Sequence, residues 1–338
     1  MLSLLIYSFF SATLLTGLIR RYAIRKSLID IPNERSSHHL PVPRGGGLSI
    51  VLITLLAVIL AGFSGLLAYH QVIALFGGGC FVGAIGWLDD HRDVSALLRM
   101  IVHCVAAIWT IYWLDGLGMM NLGFTEIDPG WFGNLLAVIA MVWLINLYNF
   151  MDGTDGIASV QAISTGSFVL LFFLTGKNTG LAMITLAMLG ATTGFLLWNW
   201  SPAKIFMGDV GSGFLGYFFG ALAIMGEKAG SAPILIWLIL LALFFWDATL
   251  TLIQRFLSGE KWYAAHHSHA YQRFVQMGYS HERLALWFLA INVMILWPIA
   301  WFAMNYKTGM LVLALITAIF SAGLWFVIRD KYDKTNND

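Results

Sequence analysis

The chain has 338 residues, 59% of them hydrophobic and 11% charged, with a mean hydropathy of +0.77. Soluble domains carry about 25% charged residues, so a water-soluble globule is excluded. A net charge of +1 gives no electrostatic footprint for nucleic acid.

The two cysteines, Cys80 and Cys104, lie inside apolar stretches and indicate neither a disulfide framework nor a cysteine zinc site. The apolar runs are continuous instead of alternating, which selects membrane helices over a β-barrel. A span needs about 20 mostly apolar residues. Eleven are predicted in chain order: 2–19, 47–63, 71–88, 98–114, 131–148, 157–175, 180–198, 212–226, 232–254, 284–303 and 309–328. The first ends in Arg20 and Arg21 without a small-residue cleavage site and reads as a retained anchor. The eighth is short, and the sixth is rich in Ser and Thr. The expected fold is an all-α polytopic bundle forming a single domain over residues 1–338, with no long internal repeat or soluble segment.

An odd number of spans puts the termini on opposite sides. All but Lys177, Lys228 and Lys307 of the 19 Lys and Arg fall after odd-numbered spans or in the C-terminal tail. Basic residues mark the cytoplasmic side, so the N-terminus is expected outside and the C-terminus inside. The dense polar clusters fall on that inner side too: PNERSSHH, DDHRD, NFMDGTDG, SPAKIFMGDVGS and the long loop QRFLSGEKWYAAHHSHAYQR. Polar groups at membrane depth are costly and tend to be functional, so five clusters on one face indicate one site.

Asp89 and Asp90 end the third span. Adjacent helical residues point about 100° apart, and a carboxylate at a helix C-terminus opposes the macrodipole. Two such residues suit different roles: one abstracting a proton or orienting a phosphate, the other holding a metal or a basic residue. In Asn146-Leu-Tyr-Asn149-Phe-Met-Asp152-Gly-Thr-Asp155-Gly, the oxygen donors suit Mg²⁺, which takes carboxylates and substrate phosphates. Asp and Gly also form plain turns. Gly208-Asp209-Val-Gly-Ser-Gly puts a carboxylate beside the backbone N–H groups of a helix start, a setting for metal and phosphate. Lys204 can touch a phosphate or mark the inner interface. His266, His267 and His269 are too tightly spaced to surround one zinc ion, and phosphate or sugar contact is preferred. Asp247, inside the ninth span, has no assigned role. His103 reads as core packing.

Together and in this order, the motifs resemble the polyprenyl-phosphate N-acetylhexosamine-1-phosphate transferase family, glycosyltransferase family 4. That family includes the phospho-MurNAc-pentapeptide translocase and the GlcNAc-1-phosphate transferases that start surface polysaccharides. The resemblance runs from about residue 30 to about residue 275. Asp30 to His38 with Pro43-Arg44-Gly45-Gly46-Gly47 is similar to the family's first inner loop. Asp89-Asp90 matches its aspartate pair, and Arg99 falls where a basic residue is expected. Residues 146–156 match NxxNxxDGxDG, Asp209 matches GDxGS, and His266 to His269 stand at its His- or Arg-rich loop.

The resemblance implies transfer of an N-acetylated amino-sugar 1-phosphate from a UDP-sugar to undecaprenyl phosphate, with release of UMP. It implies that Asn149 and Asp209 hold Mg²⁺, or Mn²⁺ in its place. Asp89 or Asp90 would act on the acceptor phosphate. Arg99, Asn146, Lys204 and Arg44 would contact substrate, and Asp152, Asp155, His266, His267 and His269 would grip the sugar nucleotide. It places the enzyme in a bacterial inner membrane with a cytoplasmic site and leaves room for a homodimer. DDHRD lacks the Lys that usually follows the translocase's aspartate pair, and HHSHAYQR is unlike the His loop of both the translocase and the common GlcNAc-1-phosphate type. Both departures speak against a peptidoglycan role, and the chain resembles more the branch that starts lipopolysaccharide O-antigen with unusual amino sugars. The rival reading, a transporter or flippase of a lipid-linked sugar, calls for polar residues at mid-membrane on broken helices; only Asp247 fits it.

Overall fold

In hydrocarbon every backbone N–H and C=O must be satisfied within the protein, so long apolar runs become helices. The computed structural model, which describes residues 1–32, 40–260 and 266–337, is built on this rule. Its first eight helices are α1 (Leu2–Arg25), α2 (Leu48–Phe63), α3 (Tyr69–His91), α4 (Ala96–Trp113), α5 (Gly130–Phe150), α6 (Ile157–Thr175), α7 (Thr179–Asn199) and α8 (Asp209–Lys228). Then come α9 (Ile234–Leu240), α10 (Ala242–Leu257), α11 (Ala270–Gln276), α12 (His281–Ile291), α13 (Trp297–Asn305) and α14 (Met310–Asn337). The protein is an all-α polytopic membrane bundle. Among the described residues, nine helical segments are long and apolar enough to span. The remaining two predicted stretches are the 16-residue α2 and the bent pair α9–α10. Two short antiparallel pairings, 29–30 with 42–43 and 120–121 with 126–127, tie down the loops before α2 and before α5.

The predicted ninth span is not one rod. α9 and α10 meet at Leu241 with a bend of 78°. The break leaves the Leu240 carbonyl in an apolar interior, where an unmet polar group costs several kcal/mol. Gln161 Nε2 of α6 donates to it at 2.9 Å, and Asn292 Nδ2 donates to Gln161 Oε1 at 2.9 Å. Asn292 opens a π-helical turn, Asn292–Leu296, between α12 and α13.

The short eighth stretch is the centre of the bundle. α8 is buried along nearly its whole length and packs against α3 and α5. Small residues let backbones meet closely in membranes. A Cβ at Gly86 would come within 2.6 Å of the Asp209 carbonyl, so α3 crosses the start of α8 in backbone contact. The ends of α3, α5 and α7 and the starts of α4, α6 and α8 therefore gather at one end of the bundle.

Candidate active site

The aspartate pair divides as helical spacing requires. Asp90 is only 3% exposed and turns inward. Its Oδ1 accepts from the Asp209 backbone N–H at 3.0 Å and its Oδ2 from that of Val210 at 3.2 Å. These are orphan donors of the first turn of α8, so a carboxylate from α3 caps a helix 120 residues away. The fit depends on Gly208, whose φ of 75° is left-handed and where a Cβ would come within 2.6 Å of Asp90 Oδ1. Arg44 Nε donates to the Asp90 carbonyl at 2.8 Å.

Asp89 keeps 14% of its side chain accessible. Arg99 Nη1 donates to Asp89 Oδ2 at 2.5 Å and to Asp209 Oδ2 at 2.8 Å. One guanidinium from α4 thus bridges a carboxylate from α3 and another from α8. Asp89 Oδ1 also accepts from the Val94 N–H at 2.9 Å, fixing the turn into α4.

Asn149 and Asp209 line one small cavity of about 40 Å³ with Arg99, His103 and Asn146. Asn149 Nδ2 donates to Ser212 Oγ at 3.3 Å. Asn146 Nδ2 donates to the Val142 carbonyl at 2.7 Å and lies 3.3 Å from His103 Nδ1. His103, expected to be plain packing, is thus part of the cavity wall. No three His, Cys, Asp or Glu side chains among the described residues form a ready metal cluster. Mg²⁺ needs only one or two carboxylates when substrate phosphates complete its shell, and an amide oxygen and a carboxylate on one cavity fit that. The half-buried Asp152 follows in the turn after α5. Burial, then the like charges of Asp209, Asp90 and Asp155, hold its carboxyl well above the usual range, and a cation would relieve that excess of negative charge.

Asp155 faces a larger cleft of about 440 Å³, lined also by Pro202, Phe206, Tyr279 and His281. Its Oδ2 accepts from the Ala203 N–H at 3.1 Å and lies 3.4 Å from His281 Nδ1. Burial raises its pKa, but His281 and these hydrogen bonds outweigh burial and leave it below the usual carboxylate range. Asn199 ties this loop to the next: its Oδ1 accepts from the Gly156 N–H at 3.0 Å and its Nδ2 donates to the Ile205 carbonyl at 3.1 Å. No sequence motif marks His281 or Asn199; the only signal is a polar residue at a helix end.

The histidine segment packs against the end of α5. The His269 ring stacks on Phe150 with centroids 6.3 Å apart, and His266 lies 4.8 Å from His269. His266 Nδ1 is 2.9 Å from Ser268 Oγ. Burial, then His269, Arg255 and His267, push the His266 imidazole down to about 3. His267 is half-buried beside them. Lys204 does not join the carboxylates. It is exposed, its ammonium 5.9 Å from the Trp198 ring, and its carbonyl accepts from Arg20 Nε at 3.0 Å. That position marks the rim. The first-loop residues Asn33 to His39, and Lys261, lie outside the described residues.

Residues 72–227 match the model of glycosyl transferase family 4. The chain is 31% identical to a probable undecaprenyl-phosphate N-acetylglucosaminyl 1-phosphate transferase of Bacillus subtilis, over 83% of this chain and 79% of the relative. It is 26% identical to an undecaprenyl-phosphate alpha-N-acetylglucosaminyl 1-phosphate transferase of Yersinia pestis, over 82% and 77%. A phospho-N-acetylmuramoyl-pentapeptide-transferase of Halalkalibacterium halodurans is 30% identical over 62% of this chain and 69% of its own length.

Proposed function

The chain belongs to glycosyl transferase family 4, and from that premise we propose that it transfers an N-acetylated amino-sugar 1-phosphate from a UDP-sugar to undecaprenyl phosphate, releasing UMP. The observation that carries this reading is the Arg99 bridge between Asp89 and Asp209, set beside the Asn146–Asp155 segment. Moving a phosphoryl group between two anionic substrates calls for charge neutralisation and positioning above all. A cation poised between two carboxylates is set to exchange those partners for phosphate oxygens.

Asp89, accessible and paired to Arg99, orients or deprotonates the acceptor phosphate. That phosphate needs little activation, since a monoester loses its second proton near pH 6. Asp90 acts from behind, holding the start of α8 and thereby the Asp209 carboxylate. Asn149 and Asp209 are the residues that would hold Mg²⁺, which would neutralise the diphosphate of the donor. Asp152, Asp155 and the histidine segment grip the sugar nucleotide. The cleft walled by Phe206, Tyr279 and His281 is wide enough for its nucleoside. An apolar groove of about 180 Å³ along α5, α8 and α9 runs from Leu136 to Leu144, two residues before Asn146, and suits an isoprenoid chain.

The relatives matched over four fifths of this chain carry N-acetylglucosaminyl names, which supports an N-acetylhexosamine donor and a role in starting a surface polysaccharide such as O-antigen. The transporter reading gains no such support. The asymmetry of basic residues supports a cytoplasmic site in a bacterial inner membrane; a C-terminal reporter active only on the outer side would reverse this. The direct test incubates purified protein with undecaprenyl phosphate, Mg²⁺ and a panel of radiolabelled UDP-sugars. Label moving to the organic phase names the donor, and no movement from any UDP-sugar overturns the reading.

A further inference from the structure

Asp247 is a carboxylate inside an apolar helix that the site as described does not use. It is 6% exposed, yet it is well supplied with donors. Its Oδ1 accepts from the Ala270 N–H at 2.9 Å and its Oδ2 from the Tyr271 N–H at 3.0 Å. Thr251 Oγ1 donates to it at 3.2 Å, and His269 Nδ1 lies 3.5 Å away. The carboxylate of α10 therefore holds the first turn of α11 from below, immediately after the histidine segment.

The other side of that turn is tied to the site. Tyr271 Oη donates to the Phe150 carbonyl at 2.9 Å, one residue after Asn149 and two before Asp152. Its hydroxyl occupies the space that a Cβ at Gly153 would need. Gly153 thus leaves room for α11 to dock on the NxxNxxDG turn. The arrangement is a clamp: Asp247 grips the backbone of residues 270 and 271, and Tyr271 presses that turn onto residues 150–153. His266 to His269, immediately before it, take their distance from Asp152 and Asp155 from the clamp. The Leu241 bend aims α10 at this contact, and the Gln161–Asn292 pair satisfies the carbonyl that the bend exposes.

We infer that Asp247 is a positioning residue for the transfer, setting the histidine segment against the Asn146–Asp155 turn so that both reach one sugar nucleotide. The inference rests on the proposed donor role of the histidine segment. A cap that merely stabilised the fold would affect both substrates alike. A positioning residue acting through the histidines affects the donor alone.

The experiment measures KM for the UDP-sugar and for undecaprenyl phosphate separately in detergent-purified full-length protein. In Asp247→Asn the new amide N–H faces one of the two backbone donors, so one charge-assisted bond is lost. The UDP-sugar KM should rise about 10-fold or more, the size expected for such a bond, with the lipid KM unchanged within about twofold. Tyr271→Phe removes the opposite jaw and should raise the same constant by roughly 3- to 10-fold. The double variant should fall short of the product of the two, since both act through α11. Ala variants of His266, His267 and His269 are measured alongside. If these raise the UDP-sugar KM while Asp247→Asn and Tyr271→Phe change neither constant, or change both equally, the positioning role is overturned and the donor reading survives. If the His variants raise the lipid KM instead, the donor reading itself fails. Should Asp247→Asn not accumulate, Tyr271→Phe decides alone: a donor-specific rise supports the clamp, and none overturns it.

Discussion

Replacing Asp90 and Asp89 one at a time separates the residue that caps α8 from the residue proposed to meet substrate. Asp90→Ala strips two buried N–H groups, those of Asp209 and Val210, of their acceptor. A hydrogen bond to a charged group contributes about 1.5–3 kcal/mol, and loss of a helix N-cap costs about 0.5–2 kcal/mol. The two descriptions overlap, so the cost is about 3 kcal/mol. For a chain of 338 residues the unfolding entropy is about 0.7 kcal/mol/K, so each kcal/mol moves Tm by about 1.4 °C, giving a fall of about 4 °C. Asp89→Ala removes a part-exposed ion pair with Arg99, worth about 1 kcal/mol or less, and the Val94 N–H bond, worth about 1 kcal/mol, so it should move Tm by no more than about 3 °C. Activity should order the other way in the Asn variants. Asp90→Asn keeps one acceptor for the α8 turn and retains measurable transfer. Asp89→Asn, near wild-type in Tm, loses about 100-fold or more in kcat, the scale of a lost acid–base or orienting group. Thermal unfolding of detergent-solubilised protein, followed by intrinsic fluorescence, gives the first quantity, and initial transfer rates give the second. A wild-type Tm for Asp90→Ala together with a kcat loss matching that of Asp89→Asn would refute the division.

Asp209→Asn should abolish transfer in a protein that still folds, and Mg²⁺ should no longer raise its Tm, since a ligand stabilises only what it binds; near-normal transfer at limiting Mg²⁺ would remove Asp209 from the metal site. Direct attack of the lipid phosphate on the donor's β-phosphate, with no covalent enzyme intermediate, predicts no exchange of labelled UMP into UDP-sugar without lipid; exchange that disappears in the Asp89 and Asp90 variants would instead establish a carboxylate-bound intermediate. The pH dependence of stability carries a definite sign for His266. Its imidazole falls to about 3 in the folded chain and stands near 6.5 when unfolded, so below about pH 6.5 the unfolded chain binds the extra proton and the fold loses stability. Between pH 7 and pH 5.5 the loss is about 1 kcal/mol after solvent screening, and His266→Gln should flatten that part of the Tm–pH curve; an unchanged slope would contradict the burial of the ring.

Local pattern carried the helices, because span length and apolar continuity are written in consecutive residues. The DD, NxxNxxDGxDG, GDxGS and His clusters were legible for the same reason, each being a short run at a span end. What the chain order hid were partners far apart in sequence. Nothing near Leu241 breaks a helix: no Pro or Gly occurs between Pro233 and Gly259, which lies just past the end of α10. The bend is stabilised by an amide on α6 and another beyond α12. Asp90 could not be told from Asp89 without α8, whose first turn it caps, and nothing in the sequence pairs Asp247 with the start of α11, whose first backbone N–H groups it accepts from. His281 and Asn199 escaped because a lone polar residue at a helix end resembles an ordinary interface residue.

The most direct measurement uses a UDP-sugar labelled with ³²P in the β-phosphate and tritium in the sugar, given to purified protein with undecaprenyl phosphate and Mg²⁺. Sugar-1-phosphate transfer moves both labels into the organic phase in the ratio they had in the donor, with UMP left in the water. Tritium moving without ³²P, with UDP as the released nucleotide, would contradict the account.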